Sequence, residues 1–502
     1  MSKEEELIAE RLRKREELLK ITNPYPYGYK QTHHAKELHD RFAGAKPETE
    51  LGERVRVAGR ILALRRMGKM CFSQIADESG KIQIWFKADL LKDYDNLALL
   101  DIGDFVGAEG ALITTRTGEL TVLVSSYEVL SKSLRPLPDK WHGLKDTELR
   151  YRQRYVDLVV SPGVREVFLK RARIVKAVRD CLEKHGFIEV ETPILQPQYG
   201  GANARPFVTE HHELKMRMFL KVSPELYLKR LLVGGFEKVY DMNKNFRNES
   251  IDTTHNPEFT MMECYQAYAD YTDMMRLTEE LYESAAKAAN GTTKITWDGK
   301  SLDLKAPWER LTMKDAIKRF ADIDVDALDD KALFTLRTTY NLEVKGDLTR
   351  GAVIFALFDE LAAPKIVGPV HITDHPKETT PLCKIHRKDP MLIERFESFL
   401  CGMELCNAYS ELNDPVVQRQ LLEEQARQLR GGDVEAHPMD EDFIRALEHG
   451  MPPAGGLGIG IDRMVMFITG QVSIRDVILF PTMKPEVGER SETASGPKTK
   501  SL

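Results

Sequence analysis

The chain has 502 residues, 30% of them charged, 42% hydrophobic and 8% aromatic, a make-up that suits a globular protein of about three domains. Lys and Arg number 72 against 78 Asp and Glu, a net charge of −6, which by itself argues against a generic basic nucleic-acid coat. No apolar run reaches the roughly 18–20 residues of a membrane span, and the N-terminus is charged from its third residue, so neither a membrane segment nor a secretory signal is expected.

Residues 1–20 carry six basic and six acidic side chains around a thin stripe of Leu7, Ile8, Leu12, Leu18 and Leu19. This predicts a helix lying on the surface, the first element of an N-terminal helical extension over 1–50. From Arg54 to Ser131 the pattern turns to five short β runs, with Asp77-Glu78-Ser79-Gly80 as a tight turn and a longer connection from Lys87 to Gly103. Five closely spaced strands of this kind predict an OB barrel over 51–132. Residues 133–150 are polar, contain prolines and lack periodicity, and a linker is read over 133–160. Mixed α and β patterning then runs over 161–485, with a helical insertion expected at about 285–350. The tail, 486–502, is nearly free of large apolar residues and reads as disordered.

Four segments of the second region stand out, the first structural and the other three able to carry chemistry. Ser161 as N-cap, Pro162 in the first turn and apolar residues at helical spacing to Leu182 predict a helix that Gly186 ends. The alternating strand Phe187–Pro193 follows, its proline confined to an edge. Strand alternation puts Phe259, Met261, Glu263 and Tyr265 on one face, and Arg247 with Glu249 on one side of an extended stretch before them. An arginine so placed binds phosphate or carboxylate bidentately. Glycines 455, 456, 458 and 460 precede Arg463 without the spacing of a dinucleotide loop or of GxxxxGK[ST]. They allow a flat ligand close to the backbone. In 394–411, Asn407, Tyr409 and Glu411 share strand parity and Glu404 does not, so Glu404 joins them only through a bulge or bend. Carboxylates there suit Mg²⁺ beside a phosphate, or a cationic ligand. The six cysteines, at 71, 181, 264, 383, 401 and 406, have no zinc spacing and are too sparse for a disulfide scaffold. A reducing, cytoplasmic setting is expected.

In this order the segments resemble the three signature motifs of the class II aminoacyl-tRNA synthetases. The helix and strand ending at Pro193 resemble motif 1. Phe246-Arg-Asn-Glu249 with His255-Asn-Pro-Glu-Phe259 resembles motif 2, and the glycine run to Arg463 resembles motif 3. A preceding barrel and Arg152-Gln-Arg-Tyr-Val-Asp157 narrow the likeness to the aspartyl, asparaginyl and lysyl subgroup. Gly200–Phe207, Pro224–Arg230, Asn407–Asn413 and Gly458–Arg463 are similar to the lysyl-tRNA synthetase family. The likeness covers roughly 50–485.

The resemblance implies an α+β class II catalytic domain, an antiparallel sheet flanked by helices, behind a five-stranded OB barrel that reads the anticodon. It implies L-lysine, ATP and tRNA(Lys) as substrates, Mg²⁺ as cofactor, and a homodimer. For lysine it implies Gly200, Gly201, Glu225, Arg247, Glu263, Tyr265, Asn407, Tyr409 and Glu411. For ATP it implies Arg247, Glu249, His255, Phe259 and Arg463, with Glu397 and Glu404 also holding Mg²⁺. Arg247 and Arg463 would act catalytically, and Arg65, Phe72 and Gln83 would contact anticodon bases. A lysine pocket needs anions where an aspartate pocket needs cations, and Glu225, Glu263 and Glu411 supply them. Two other readings exist: a paralog that lysylates an elongation factor, which lacks the barrel, and a silent RNA-binding paralog, which would have lost motif residues present here.

Overall fold

A computed structural model describes residues 2–138, 144–161, 163–344, 347–430 and 438–486. The expected first-turn Pro162 and all but the first residue of the tail lie outside them. The chain divides into two compact units, Met1–Lys145 and Asp146–Leu502.

In the first unit α1 (Lys3–Leu19) starts from a capping box between Ser2 and Glu5, and α2 (Ala35–Arg41) follows. Five strands, β1 (Glu50–Met67), β2 (Met70–Ala76), β3 (Lys81–Lys87), β4 (Phe105–Thr114) and β5 (Leu120–Ser131), close a barrel in the order β1-β2-β3-β5-β4. Alternation dictates its filling. Cys71, Ile75, Ile82, Ile84 and Phe86 point inward and are buried, while their neighbours on β2 and β3 are partly exposed. The predicted turn forms because the Asp77 carboxylate accepts from the Ser79 and Gly80 amides at 2.8 and 2.9 Å. Helix α1 is tied to the barrel more firmly than a solvated helix. Leu18 joins the barrel core, and the buried Arg11 guanidinium donates to the carbonyls of Ile102, Ser133 and Arg135.

The stretch read as a linker is in part helical: α3 (Thr147–Arg152) and α4 (Arg154–Val160) open the second unit. The sequence lacks periodicity there because buried charge, not an apolar stripe, holds these helices. Arg154 pairs with Asp157 at 2.7 Å, both fully buried. Helix α5 (Val164–Lys184) has Gly163, at φ +86°, as its N-cap in place of the expected Ser161, whose Oγ donates to Asp157 Oδ1 at 2.5 Å instead, and it ends before Gly186 at φ +82°. The strand expected over 187–193 shrinks to β6 (Ile188–Glu189), paired only with Val239 and Tyr240. Next come β7 (Leu195–Gln196), β8 (Val208–His211) and β9 (Met216–Leu220), which form a small separate sheet, then α6 (Glu225–Val233).

The hairpin β10 (Lys238–Phe246) and β11 (Glu258–Ala267) leads to α7 (Tyr271–Asn290). Residues 285–350 are not purely helical. They hold the hairpin β12 (Lys294–Trp297) and β13 (Lys300–Asp303), then β14 (Glu309–Thr312), α8 (Met313–Ala321) and α9 (Asp330–Thr339). The chain closes with α10 (Arg350–Leu357), β15 (Val370–Pro376), β16 (Leu392–Leu400), β17 (Met403–Ser410), α11 (Pro415–Arg430), α12 (Glu441–Glu448), β18 (Ala454–Gly460), α13 (Ile461–Thr469) and α14 (Ile474–Val477).

Eight strands form one sheet in the order β14-β15-β16-β17-β18-β11-β10-β6, antiparallel except for the outermost pair at each edge. Its apolar face packs under α5, α7 and α13, where Ile174, Leu281, Leu457, Ile459 and Phe467 share one core. The other face is left for a cavity. One buried charge locks the strand edge. Lys221, fully buried, pairs with Asp241 of β10 at 2.9 Å and donates to Thr192 Oγ1 at 3.2 Å. Removing one partner of a buried pair strands the other charge. Asp241→Ala is therefore expected to lower stability by about 3–5 kcal/mol, read as a fall in the urea midpoint of the second unit; an unchanged midpoint would refute the lock.

Candidate active site

The cavity, of about 350 Å³, opens on the sheet face away from α5, α7 and α13. Its floor follows from strand register. Tyr265 of β11, Gly456 of β18 and Tyr409 of β17 lie side by side, as do Glu263, Gly458 and Asn407 one pleat further on. The glycines at 456, 458 and 460 thus recur with period two on the cavity face, while Leu457 and Ile459 between them point into the core. A Cβ at Gly456 would sit 2.0 Å from Glu411 Oε1 and 2.5 Å from Tyr265 Cε1; one at Gly458 would meet Met261 Cε at 2.8 Å. The middle strand has no side chains here because those of its two neighbours fill the space.

Three buried carboxylates gather at one end. Glu225 opens α6, Glu263 stands on β11, and Glu411 follows β17, held by its bridge to Cys383 and by its backbone N–H donating to Ala454 O at 2.8 Å. Glu263 accepts from Ser223 Oγ at 2.7 Å and from Tyr265 OH at 3.0 Å. Burial first, then the charge of Glu225, pushes its carboxyl up to about 8. Burial also raises Glu411 and Glu225. Both touch the fully buried ammonium of Lys229, Glu225 Oε1 at 2.6 Å and Glu411 Oε2 at 2.5 Å. The Glu411 carboxylate receives no properly directed hydrogen bond and lines the cavity.

The other end is built from arginines. Arg247 follows β10, its amide bonded to Pro257 O at 2.9 Å, and its guanidinium lies 5.1 Å from the Phe259 ring centre. Arg463 donates to Glu404 O at 2.9 Å and lies 3.2 Å from His255 Nε2, whose ring is steadied by Asp252 at 2.9 Å. Its place is set by Asp462, which pairs with Arg171 of α5 at 2.6 Å and accepts from Thr260 N at 2.7 Å. Glu397 and Glu404 both face the cavity. The required bend exists: β16–β17 pairing shifts by one residue between Ser398–Cys406 and Phe399–Glu404, a bulge that brings Glu404 to the face of Asn407. Glu397 is raised by burial and, with Arg395 opposing, by Glu404 and Asp359.

Gly201, Glu225, Arg247, Glu249, His255, Phe259, Glu263, Tyr265, Glu397, Glu404, Asn407, Tyr409, Glu411 and Arg463 all line this cavity. Gly200 is the exception: it is buried and packs against Leu226, where a Cβ would meet Cδ1 at 2.7 Å. Gly201, at φ +86°, would place a Cβ 2.9 Å from that of Glu225. Sequence reasoning missed two charged residues. Arg395 pairs with Glu397 and donates to Asn407 Oδ1 at 3.1 Å. Lys229 stands four residues after Glu225, one helical turn, and that spacing was the available signal.

On the barrel, register aligns Arg65, Phe72 and Trp85 across β1, β2 and β3. Phe72 is on the outer face, stacked on Trp85 with ring centres 5.0 Å apart, and Lys87 Nζ lies 3.9 Å from the Trp85 ring centre. Gln83, also outward, accepts from Thr121 Oγ1 at 3.2 Å. Trp85 is a further aromatic that the sequence reading passed over.

Residues 146–484 match the family model of class II tRNA synthetases (D, K and N), and 55–130 match that of the OB-fold nucleic acid binding domain. The fold is thus that of a class II synthetase with an OB module. The lysine–tRNA ligase of Carboxydothermus hydrogenoformans is 51% identical over 96% of this chain and 98% of its own length. That of Pelotomaculum thermopropionicum is 51% identical over 96% of each, and that of Clostridium perfringens 48% over 96% and 98%. The chain belongs to the lysine–tRNA ligase family.

Because Gly456 makes room for Glu411 and Tyr265, Gly456→Ala is expected to displace the carboxylate by the overlap of a methyl group. The Michaelis constant for the amino acid should rise by about tenfold or more, with stability lowered by about 1–3 kcal/mol because the methyl overpacks a filled site. An unaltered constant would show that the glycine is not needed there.

Proposed function

We propose that the cavity activates L-lysine with ATP to lysyl-adenylate and that the enzyme transfers the lysyl group to the 3′ end of tRNA(Lys). The observation that carries this reading is the anionic end of the cavity. Glu411, buried, meets Lys229 through Oε2 but keeps Oε1 without a donor, and it stands beside Glu225, Glu263 and Tyr265. Buried carboxylates select a cationic side chain and reject an anionic one. Glu411 with Tyr265 takes the ε-ammonium, and Glu225, Asn407 and Tyr409 complete the lysine pocket with Gly201. Gly200 contributes by fitting closely against Leu226.

Arg247 holds the lysine carboxylate and the α-phosphate. Phe259 and Arg463 take opposite faces of adenine, Glu249 its edge, and His255 the terminal phosphates. A lysine carboxylate oxygen attacks the α-phosphorus, the bond to the β-phosphate breaks, and pyrophosphate leaves. The ribose hydroxyl of the terminal adenosine then attacks the acyl carbon and AMP leaves. Positioning and fixed positive charge suffice without a dedicated base. Glu397 and Glu404 fit Mg²⁺, because two acids sharing one face gain from a cation between them. Bound there, Mg²⁺ neutralises phosphate charge.

Residues 51–132 form the anticodon reader, with Phe72 stacking a base and Gln83 and Arg65 contacting others; 161–485 form the catalytic domain. The resemblance of α5 and β6 to motif 1 supports a homodimer. No helix among the described residues is long and apolar enough to cross a membrane, and the free cysteines suit the cytoplasm.

Lysine-dependent ATP–pyrophosphate exchange tests the first step, and absence of exchange would refute it. Glu263 is protonated below about pH 8 in the free enzyme and must ionise to meet an ammonium, so lysine binding releases a proton. The lysine constant should therefore fall as pH rises from about 6.5 to 8.5, by up to about tenfold per unit; a flat profile would refute the coupling. Phe72→Ala is expected to weaken tRNA binding by about 1–3 kcal/mol, seen as a raised constant for tRNA in charging assays. No change would remove Phe72 from the anticodon contacts.

A further inference from the structure

The anionic end of the cavity contains a cation of its own. Lys229 is fully buried behind the carboxylates and does not line the cavity. Its ammonium contacts Glu225 Oε1 at 2.6 Å and Glu411 Oε2 at 2.5 Å, with the Tyr265 ring 6.0 Å away. The third carboxylate, Glu263, instead takes hydroxyl donors from Ser223 and Tyr265. The remaining charged and titratable groups nearby are Cys383 beside Glu411, Tyr409 on β17, Arg395 on β16 and Arg247 after β10. Arg395 is engaged by Glu397 and Asn407, whereas the Nε of Arg247 is buried without a partner.

The charges can be counted. With Glu263 ionised, as it must be once an ammonium binds, three carboxylates face one internal ammonium, which leaves two negative charges to be met from outside. Lysine carries two ammonium groups and one carboxylate, and Arg247 is free to take the carboxylate. An amino acid with a neutral side chain brings only one ammonium, so one buried carboxyl either keeps its proton or stays uncompensated, and the pocket gains less than it does from lysine.

We propose that Lys229 is a positioning residue that sets specificity: by occupying one carboxylate charge from behind, it holds Glu225 and Glu411 in place and tunes the pocket to a substrate with two ammonium groups. This rests on the reading of the cavity as a lysine site. Without the Lys229 charge the pocket carries one negative charge too many for lysine, and one of its acids keeps a proton to higher pH.

The test is the pH profile of the lysine constant in ATP–pyrophosphate exchange, measured on the full-length enzyme. For Lys229→Met the midpoint of the profile should move up by about one unit or more, and the constant near pH 7 should rise about tenfold or more, while kcat falls much less. Lys229→Arg keeps the charge and should keep the wild-type midpoint even if its affinity is lower. Should Lys229→Met fail to fold, the double variant Lys229→Met with Glu225→Gln removes one charge of each sign. It is expected to fold and to titrate near the wild-type midpoint. A midpoint unmoved in Lys229→Met, or moved upward in the compensated double variant, would overturn the proposal and leave Lys229 a packing residue. Wild-type enzyme without lysine-dependent exchange would instead overturn the lysine reading of the cavity.

Discussion

Like charges buried together repel across a medium that screens them poorly, and the catalytic unit is arranged around that constraint. Glu225, Glu263 and Glu411 come from a helix start, a strand centre and a strand end. No single element could place them so close. Lys229 joins two of them, and hydroxyls of Ser223 and Tyr265 satisfy the third. The cluster is poised to be completed by positive charge. In the lysine reading proposed above this makes it a recognition device and not merely a stabilising ion pair, since buried pairs seldom stabilise more than apolar residues would.

Around this cluster the sheet provides rigidity on one face and space on the other. Alternation lets Leu457 and Ile459 enter the core while the glycines between them open the cavity. The core helices also reach the chemistry. Arg171 of α5 grips Asp462, which in turn bonds the β11 backbone and sets Arg463 at the start of α13. The helix resembling motif 1, which carries no chemistry of its own, thus fixes an arginine of the site.

The net charge of −6 concealed two opposed populations. Residues 54–69, on the first barrel strand and the turn after it, hold six basic side chains and no acid, as a surface that meets phosphates requires. The acids that offset them include those buried at the far end of the catalytic cavity. Under the proposed function it is the distribution of charge, and not its total, that would separate an RNA-facing surface from a pocket for a cation.

Sequence alone determined what is periodic or local. The barrel strands, the hairpin carrying Phe259, Glu263 and Tyr265, and the turn at Asp77 follow from alternation and from side chains bonding their own backbone. The motif likeness brought nearly all the cavity residues with it, because each motif contributes a contiguous piece of one wall. Tertiary structure alone decided the rest. The helices at 147–160 escaped detection because a buried Arg154–Asp157 pair leaves no apolar stripe to read. Glu404 needed a bulge that strand parity could not foresee. Lys229 is an ordinary helical lysine in the sequence. Only the fold, which carries Glu411 from a point 182 residues further along the chain to within 2.5 Å of it, turns that lysine into the internal charge of a binding site.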